Sequence, residues 1–322
     1  MRAVQIQGDV SSPKIVTNPK MDTPTPRNDE LLVRVHAAGI TGDEVLWPEP
    51  YARASRIPGN DISGVVSSIG PQYHGPLKVG DNVFALINAD RGEGQADYAI
   101  CLPNEVAPKP ETLSHQEAAA LPIPLLTAWE AFEPHMNIKP GMRVLVTGAS
   151  GAVGIMAVQL ARQLFDAHVV ALSSPRHHDM LRKIGVQEVL DYNTPDWYDQ
   201  TAGVDGVFDT VGGDILTQVW KVVKEDGVIV TVGDPAPSWA FGKGVAAESV
   251  DHPNVRYLHF IVSPNSERLA KTSEMLDSGS LKPLAVKSFP FSEAVEAWAY
   301  ARQRNRGHKV VIDFLGSGEA SS

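Results

Sequence analysis

A single cysteine, Cys101, stands in 322 residues, so no internal disulfide can form and a cysteine-rich zinc site is excluded. Long apolar runs are also missing. No segment reaches the length needed to cross a bilayer, and the opening MRAVQIQGD lacks the apolar core of a signal peptide. Basic runs are absent, and 28 Lys and Arg against 38 Asp and Glu leave a net charge of −10, which argues against a nucleic-acid partner. These absences together give the expectation of a cytoplasmic protein that binds neither membrane nor nucleic acid. The final GSGEASS is short and polar, carries no targeting signal, and reads as a mobile end.

What is present describes a globular chain. It is 43% hydrophobic and 20% charged, and its length suits two domains, each able to bury a core. The most informative stretch is RVLVTGASGAVGIMAV, residues 143–158. A short apolar run, Val144 to Val146, breaks into a turn containing Gly148, Ser150, Gly151, Ala152, Val153 and Gly154, and an apolar helical segment follows. A buried parallel strand, a glycine turn and a helix N-terminus make a site for pyrophosphate, because unpaired N–H groups and the positive dipole end face the turn. Gly148 would allow the tight turn, Gly151 the close approach of phosphate, and Gly154 the packing of helix on strand. The spacing is G-x-x-G-x-x-G rather than the commoner G-x-G-x-x-G, so an ordinary glycine-rich turn is the plainer alternative.

On either side of that stretch the texture differs. The first third reads as short strands with frequent turn signals, consistent with a small β-barrel: Met1–Gln7, Leu31–Ala37, Val65–Ile69, a strand after Val79-Gly80, and Ala96–Leu102. Residues 11–29 read as a loop, and Thr41 with Glu44 has the spacing of a capping box. His115–Leu121 and Leu125–Phe132 read as helices separated by Pro122 and Pro124. Strand and helix patterns alternate from residue 143, the mark of a parallel, doubly wound sheet, with strands at Val144–Thr147, His168–Leu172, Glu188–Asp191, Gly206–Asp209, Val228–Val232 and Tyr257–Val262. A helix at Phe291–Arg302 and a strand at Lys309–Phe314 return to the first domain. The expected division is 1–124, 125–263 and 264–322, the fold class α/β.

The second strand of a dinucleotide fold ends with an acid in most NAD binders. Here it ends Ala171-Leu172-Ser173-Ser174-Pro175-Arg176, with no acid before Asp179. Two hydroxyls and a guanidinium suit a 2′-phosphate, hence NADPH, although either serine could simply cap the helix that Pro175 begins. His177 and His178 are neighbours on a helix start and make a poor metal pair.

Several segments together resemble the medium-chain dehydrogenase/reductase superfamily, in its zinc-free quinone oxidoreductase (ζ-crystallin-like) branch. They are AAGITGDE, PGNDISGVVSSIG, KVGDNVFAL, ADYAICLPNEVAPKP, EAAALPIPLLTAWEAF, KPGMRVLVTGASGAVGIMAVQLAR, VFDTVGGDIL, DGVIVTVG, PFSEAVEAW and RGHKVVIDF, in the family's order across nearly the whole chain. The resemblance implies a GroES-like domain made from both chain ends, a Rossmann domain between them, a cleft at their junction, and reduction of quinones or activated C=C bonds by NADPH. Zinc-dependent relatives carry a Cys and a His where Thr41 and Asn60 stand, so the resemblance implies metal-free chemistry. By family position Thr127 and Gly233 meet the nicotinamide side of the cofactor, Val211 and Gly212 its ribose, and Phe260 to Val262 a wall of the cleft. Thr127 bonded within its helix and Phe260 in the core are the structural alternatives. Many members have Asn where Thr41 stands, and many are homodimers, which no feature of this chain tests.

Without a metal to polarise a carbonyl, a conjugated acceptor is the easier substrate, since hydride adds to carbon and charge spreads onto oxygen. Thr41, Tyr51 and Asn60 are the candidate donors to that oxygen. Enoyl reduction of one biosynthetic intermediate is a second enzyme reading. A non-catalytic NADPH-binding sensor or structural protein is the rival from another class.

Overall fold

The computed structural model describes residues 1–303 and 307–315, so the GSGEASS tail lies outside the described residues. The chain divides into two compact units, 1–126 with 264–322, and 127–263.

In the first unit the chain opens with an antiparallel pair, β1 (Ala3–Gln7) and β2 (Lys14–Asn18). Then come β3 (Leu31–Ile40), β4 (Asp61–Ile69), β5 (Asn82–Leu86), β6 (Tyr98–Cys101) and β7 (Val106–Pro108). Strand β2 falls inside the segment expected to be loop; its five residues are exposed or half-buried and none is fully buried, so it offers little apolar signal. Between β3 and β4 lie a 3₁₀ turn, Glu44–Leu46, and a short helix, α1 (Glu49–Ala52). The expected capping box at Thr41 and Glu44 does not form. The Glu44 carboxylate is buried and accepts from the Gly59 N–H at 2.6 Å instead.

A true capping box occurs later, at Ser114 and Glu117, where α2 (His115–Ala118) begins. Helix α3 (Pro122–Glu130) continues into a π-turn, Ala131–His135. Two helices form in this segment, but Pro122 and Pro124 lie not between the two but in the first turn of the second, where the missing N–H has no helical partner to lose.

The second unit holds a six-stranded parallel sheet ordered β10-β9-β8-β11-β12-β13, made of β8 (Arg143–Thr147), β9 (His168–Ser173), β10 (Glu188–Asp191), β11 (Val204–Asp209), β12 (Val223–Thr231) and β13 (Arg256–His259). This is the doubly wound order, in which the strand sequence runs outward from β8 on one side and from β11 on the other; the crevice at that switch point is where such sheets bind nucleotides. Helices α4 (Ala152–Gln163), α5 (His178–Lys183) and α6 (Gly213–Gln218) make the crossovers. Leu145, Val170, Val207 and Ile229, fully buried, form the centre of the sheet's core with Trp197 and Trp220.

The chain returns to the first unit through α7 (Ser266–Asp277), β14 (Val286–Pro290), α8 (Ala294–Ala301) and β15 (Lys309–Asp313). Strand β15 pairs antiparallel with β3, giving the order β14-β15-β3-β4-β5-β7, with β6 paired to β3. The barrel core is filled by Val33, Val35, Ile62, Val83 and Ile312, and by Trp298, whose indole N–H is satisfied by Gln95 Oε1 at 2.9 Å. Among the described residues, no helix is long and apolar enough to cross a membrane.

Candidate active site

In the second unit, the turn after β8 is built by glycines for two different reasons. Gly148 has φ +57°, and a Cβ there would meet Thr210 Oγ1 at 2.4 Å. A Cβ on Gly154 would sit 2.2 Å from the Gly148 carbonyl oxygen, so α4 can lie against the turn only if that residue is glycine. Gly151 differs. It has ordinary extended backbone (φ −77°, ψ 170°) as N-cap of α4, and a Cβ there would approach only the Gly148 carbonyl, at 3.2 Å. Packing alone does not demand glycine at 151, whereas a ligand lying against the turn would. Helix α4 has no side-chain cap, and by helix geometry the N–H groups of Ala152, Val153 and Gly154 lack partners within it. An uncapped helix end over an open glycine is the arrangement a pyrophosphate needs, so these residues fit a dinucleotide.

The neighbouring loops are held by one buried carboxylate. Asp209, at the end of β11, accepts from Thr147 Oγ1 at 2.5 Å and Thr231 Oγ1 at 2.6 Å, and from the N–H groups of Val211 and Gly212 at 3.2 and 3.0 Å. Thr231 Oγ1 in turn accepts from the Gly233 N–H at 3.0 Å. Thus Val211, Gly212 and Gly233 come together at the C-terminal ends of β11 and β12. A Cβ on Gly233 would meet Gly212 Cα at 2.6 Å, which explains the second glycine. Asp209, Thr147 and Thr231 were not foreseen; an acid and two threonines ending three apolar strands was the available signal.

At the end of β9, Ser173 is buried and its hydroxyl donates to the Ser174 carbonyl at 3.3 Å. Ser174 precedes the 3₁₀ turn Pro175–His177 but makes no side-chain cap bond, so capping does not account for it. Arg176 Nε–H donates to His177 Nε2 at 3.1 Å at the surface. The first acid downstream, Asp179, points to solvent beside Arg182. Thr127 is buried in α3. Phe260, just past β13, is only 8% exposed and packs on the His135 ring with centroids 4.6 Å apart, so it is a core residue as placed here. Val262 is half-buried.

The first unit holds the other three candidates. Tyr51 donates its hydroxyl proton to the Val45 carbonyl at 2.6 Å, and burial raises its pKa. Asn60 spends its Nδ2 hydrogens on the carbonyls of Ile87 and Asn88, at 2.9 and 3.3 Å. Its expected role as a donor is therefore corrected: what the side chain retains is an acceptor. Thr41, half-buried, is different, because its hydroxyl accepts from Lys309 Nζ at 3.4 Å and keeps its own proton. Lys309 also faces Asp61, 3.4 Å from Oδ2, with both side chains buried. Burial raises the Asp61 pKa, against the pull of Lys309. Burial also pushes Glu44 up to about 7, against its bond from Gly59. Cys101 is buried and its thiol pushed up, the opposite of a reactive cysteine. Among the described residues, no group of three His, Cys, Asp or Glu is placed to hold a metal ion.

Two family models match the chain: an alcohol dehydrogenase GroES-like domain over residues 27–111 and a zinc-binding dehydrogenase over residues 184–312. The chain is 32% identical over 312 residues to a probable zinc-binding mitochondrial oxidoreductase of Arthroderma benhamiae, covering 91% of both chains. It is likewise 32% identical to the 2-methylene-furan-3-one reductase of Solanum lycopersicum, over 95% of this chain and 76% of that one. Among solved structures it is similar to the quinone oxidoreductase from Coxiella burnetii, with TM-score 0.83, 27% identity and coverage of 98% and 100%. The CurK enoyl reductase superposes with TM-score 0.80 at 26% identity, over 96% and 98% of the two chains.

Proposed function

The chain belongs to the medium-chain dehydrogenase/reductase superfamily, in its zinc-free quinone oxidoreductase-like branch, and on that premise we propose that it is an NADPH-dependent reductase of quinones or α,β-unsaturated carbonyls. Members of this superfamily are oxidoreductases that use nicotinamide cofactors on small molecules. The choice of NADPH rests on one observation: β9 ends in Ser173, Ser174 and Arg176, with no carboxylate to hold a free ribose 2′-hydroxyl. A guanidinium and two hydroxyls offer donors to a phosphate, while an acid there would repel it.

In this reading the Ala152–Gly154 amides and the open space at Gly151 hold the pyrophosphate. The Asp209-anchored loops border the ribose, and Thr127, Gly233 and Val262 border the nicotinamide. The reduced nicotinamide, when bound, supplies hydride. The protein holds a flat conjugated acceptor beside it, excludes water, and offers the Thr41 hydroxyl to the oxygen where negative charge gathers.

The test is NADPH oxidation across a panel of quinones and enones, with NADH as the comparison. Turnover that prefers NADPH supports the reading. Cofactor binding without turnover on any acceptor overturns it in favour of a non-catalytic binder. Arg176→Ala is expected to weaken NADPH binding by ~2 kcal/mol while leaving NADH binding unchanged, and unchanged NADPH affinity would remove the cofactor assignment.

A further inference from the structure

Register alone brings three side chains of the first unit to one end of β3. Ile40 pairs with Val310 and Ala38 with Ile62. One step further along each antiparallel ladder, Thr41 stands opposite Lys309 and Gly39 opposite Asp61. Gly39 matters here. A Cβ on it would lie 2.9 Å from Asp61 Cβ and 3.3 Å from Oδ2, so its missing side chain makes the room the carboxylate occupies. Asp61 Oδ1 accepts from the Ile123 N–H at 2.7 Å, whereas Oδ2 has no hydrogen-bond partner among the described residues and faces the Lys309 ammonium at 3.4 Å. The lysine side chain is 6% exposed and the aspartate 1%. Among the described residues the ammonium's hydrogen bond goes to the Thr41 hydroxyl, and the buried Glu44 carboxyl also feels its charge.

A buried lysine ion-paired to a buried carboxylate, with a half-buried hydroxyl on its other contact, is an unusual use of charge. Breaking or desolvating such a pair is costly, and a well-packed apolar pair would hold the strands together as well. Hydroxyl-to-ammonium contact gives the Thr41 oxygen something an isolated threonine lacks, a proton source directly behind it.

We propose that Lys309, held by Asp61, replenishes the proton that Thr41 delivers to the reduced acceptor, so that the three residues form the proton-supply line of the reductase. The inference rests on the proposed reductase activity and deepens it. Once hydride has added to the conjugated carbon of an enone, the π electron pair moves to the oxygen and leaves an enolate. The Thr41 O–H bond then breaks and its proton goes to that oxygen, giving the enol. A Lys309 N–H proton passes to the Thr41 oxygen and restores the hydroxyl. Neutral Lys309 regains a proton from water, and Asp61 stays ionised throughout. With a quinone, the same proton converts the hydroquinone monoanion to the hydroquinone. Thr41 is the residue that touches substrate; Lys309 and Asp61 act through it.

The experiment compares wild type, Lys309→Met, Lys309→Ala, Lys309→Arg, Thr41→Val and Thr41→Ser on an enone that the wild type reduces. NADPH binding by fluorescence and thermal melting are measured alongside turnover. The expected result is a loss of about a hundredfold in kcat for Lys309→Met and Thr41→Val, the usual worth of a positioned acid, with NADPH affinity unchanged. Thr41→Ser should retain most of the turnover, whereas Lys309→Arg keeps the charge but holds its protons and should lose turnover as Lys309→Met does. The solvent deuterium isotope effect should rise in Lys309→Met, and methylamine should restore turnover to Lys309→Ala, effects that a merely structural lysine would not produce. Should the Lys309 variants fail to fold, the Thr41 pair decides: Thr41→Val retaining wild-type kcat and isotope effect overturns the proposal. So does a folded Lys309→Met with wild-type kcat. Absence of wild-type turnover on every acceptor is a different outcome, which removes the reductase reading and the relay with it.

Discussion

Thr147 and Asp209, which end adjacent parallel strands, are joined by a 2.5 Å hydrogen bond with both side chains fully buried. Through that carboxylate the loop after β11 is fixed to β8 and β12, since Asp209 also binds Thr231 and two loop N–H groups. The loop carrying Val211 and Gly212 is therefore positioned from inside the sheet, not by contacts at its surface.

Asp209→Asn tests this directly. An amide replaces one acceptor oxygen with an NH₂, which must then face a hydroxyl or backbone N–H that was donating. Leaving buried partners mispaired costs about 1–3 kcal/mol per group. The variant should melt below wild type, and because the affected loops border the dinucleotide site, NADPH affinity should drop as well. Thr147→Val should act in the same direction, as it removes one of the four bonds to Asp209 and also the acceptor of the Thr210 N–H, 3.1 Å away. A melting temperature and affinity equal to wild type in Asp209→Asn would show that the loops hold themselves.

The glycines of the turn separate stability from binding. Gly154→Ala forces a methyl against the Gly148 carbonyl at 2.2 Å, so it should destabilise the protein by about 2 kcal/mol or more through overpacking. Gly151→Ala meets only a 3.2 Å neighbour and replaces a tolerated N-cap residue with a poor one, a loss of about 1 kcal/mol or less. Its effect should fall on NADPH affinity, expected to drop at least about tenfold if phosphate lies against that residue. Denaturant melts and cofactor titrations of both variants check the contrast. Equal affinity in Gly151→Ala and wild type would place the phosphate elsewhere.

Tyr51 separates packing from catalysis. With its proton given to Val45 at 2.6 Å, Tyr51→Phe should lower stability by about 1 kcal/mol while leaving kcat within about twofold. A large fall in kcat with stability unchanged would return the phenol to the list of proton donors.

The parts of this fold that sequence displays and those it hides differ for physical reasons. Parallel strands buried on both faces read as apolar runs, so β8 to β13 could be found within a few residues, and the glycine turn fixed their class. Strands β2 and β14 are edge or near-surface strands with mixed side chains, and nothing in their composition marks them. Glu44 has the spacing of a cap, but a tertiary N–H from Gly59 claims its carboxylate. Thr41 stood out from its position, whereas its partner Lys309 lies 268 residues away. Local spacing carries no information about such a pair; only the β3–β15 register does.

Glu44 makes the stability of the fold depend on pH. Its folded pKa, about 7, stands above the ordinary 4.5 because burial disfavours the charged form. Between those values the native protein binds more protons at this site than the unfolded chain does. Stability contributed by the protonated carboxyl is thus fully present below pH 4.5 and is lost as pH rises through 7. From the two pKa values the loss is of the order of 3 kcal/mol. Glu44→Gln keeps an oxygen for the Gly59 N–H and cannot ionise. The variant should therefore match wild type closely at pH 5 and exceed it at pH 8, with the difference growing across the interval. Urea melts of both proteins at several pH values measure it. A difference that stays constant with pH would mean that the buried carboxylate is stabilised as an anion, and that its neighbours Arg53 and Lys309 outweigh its burial.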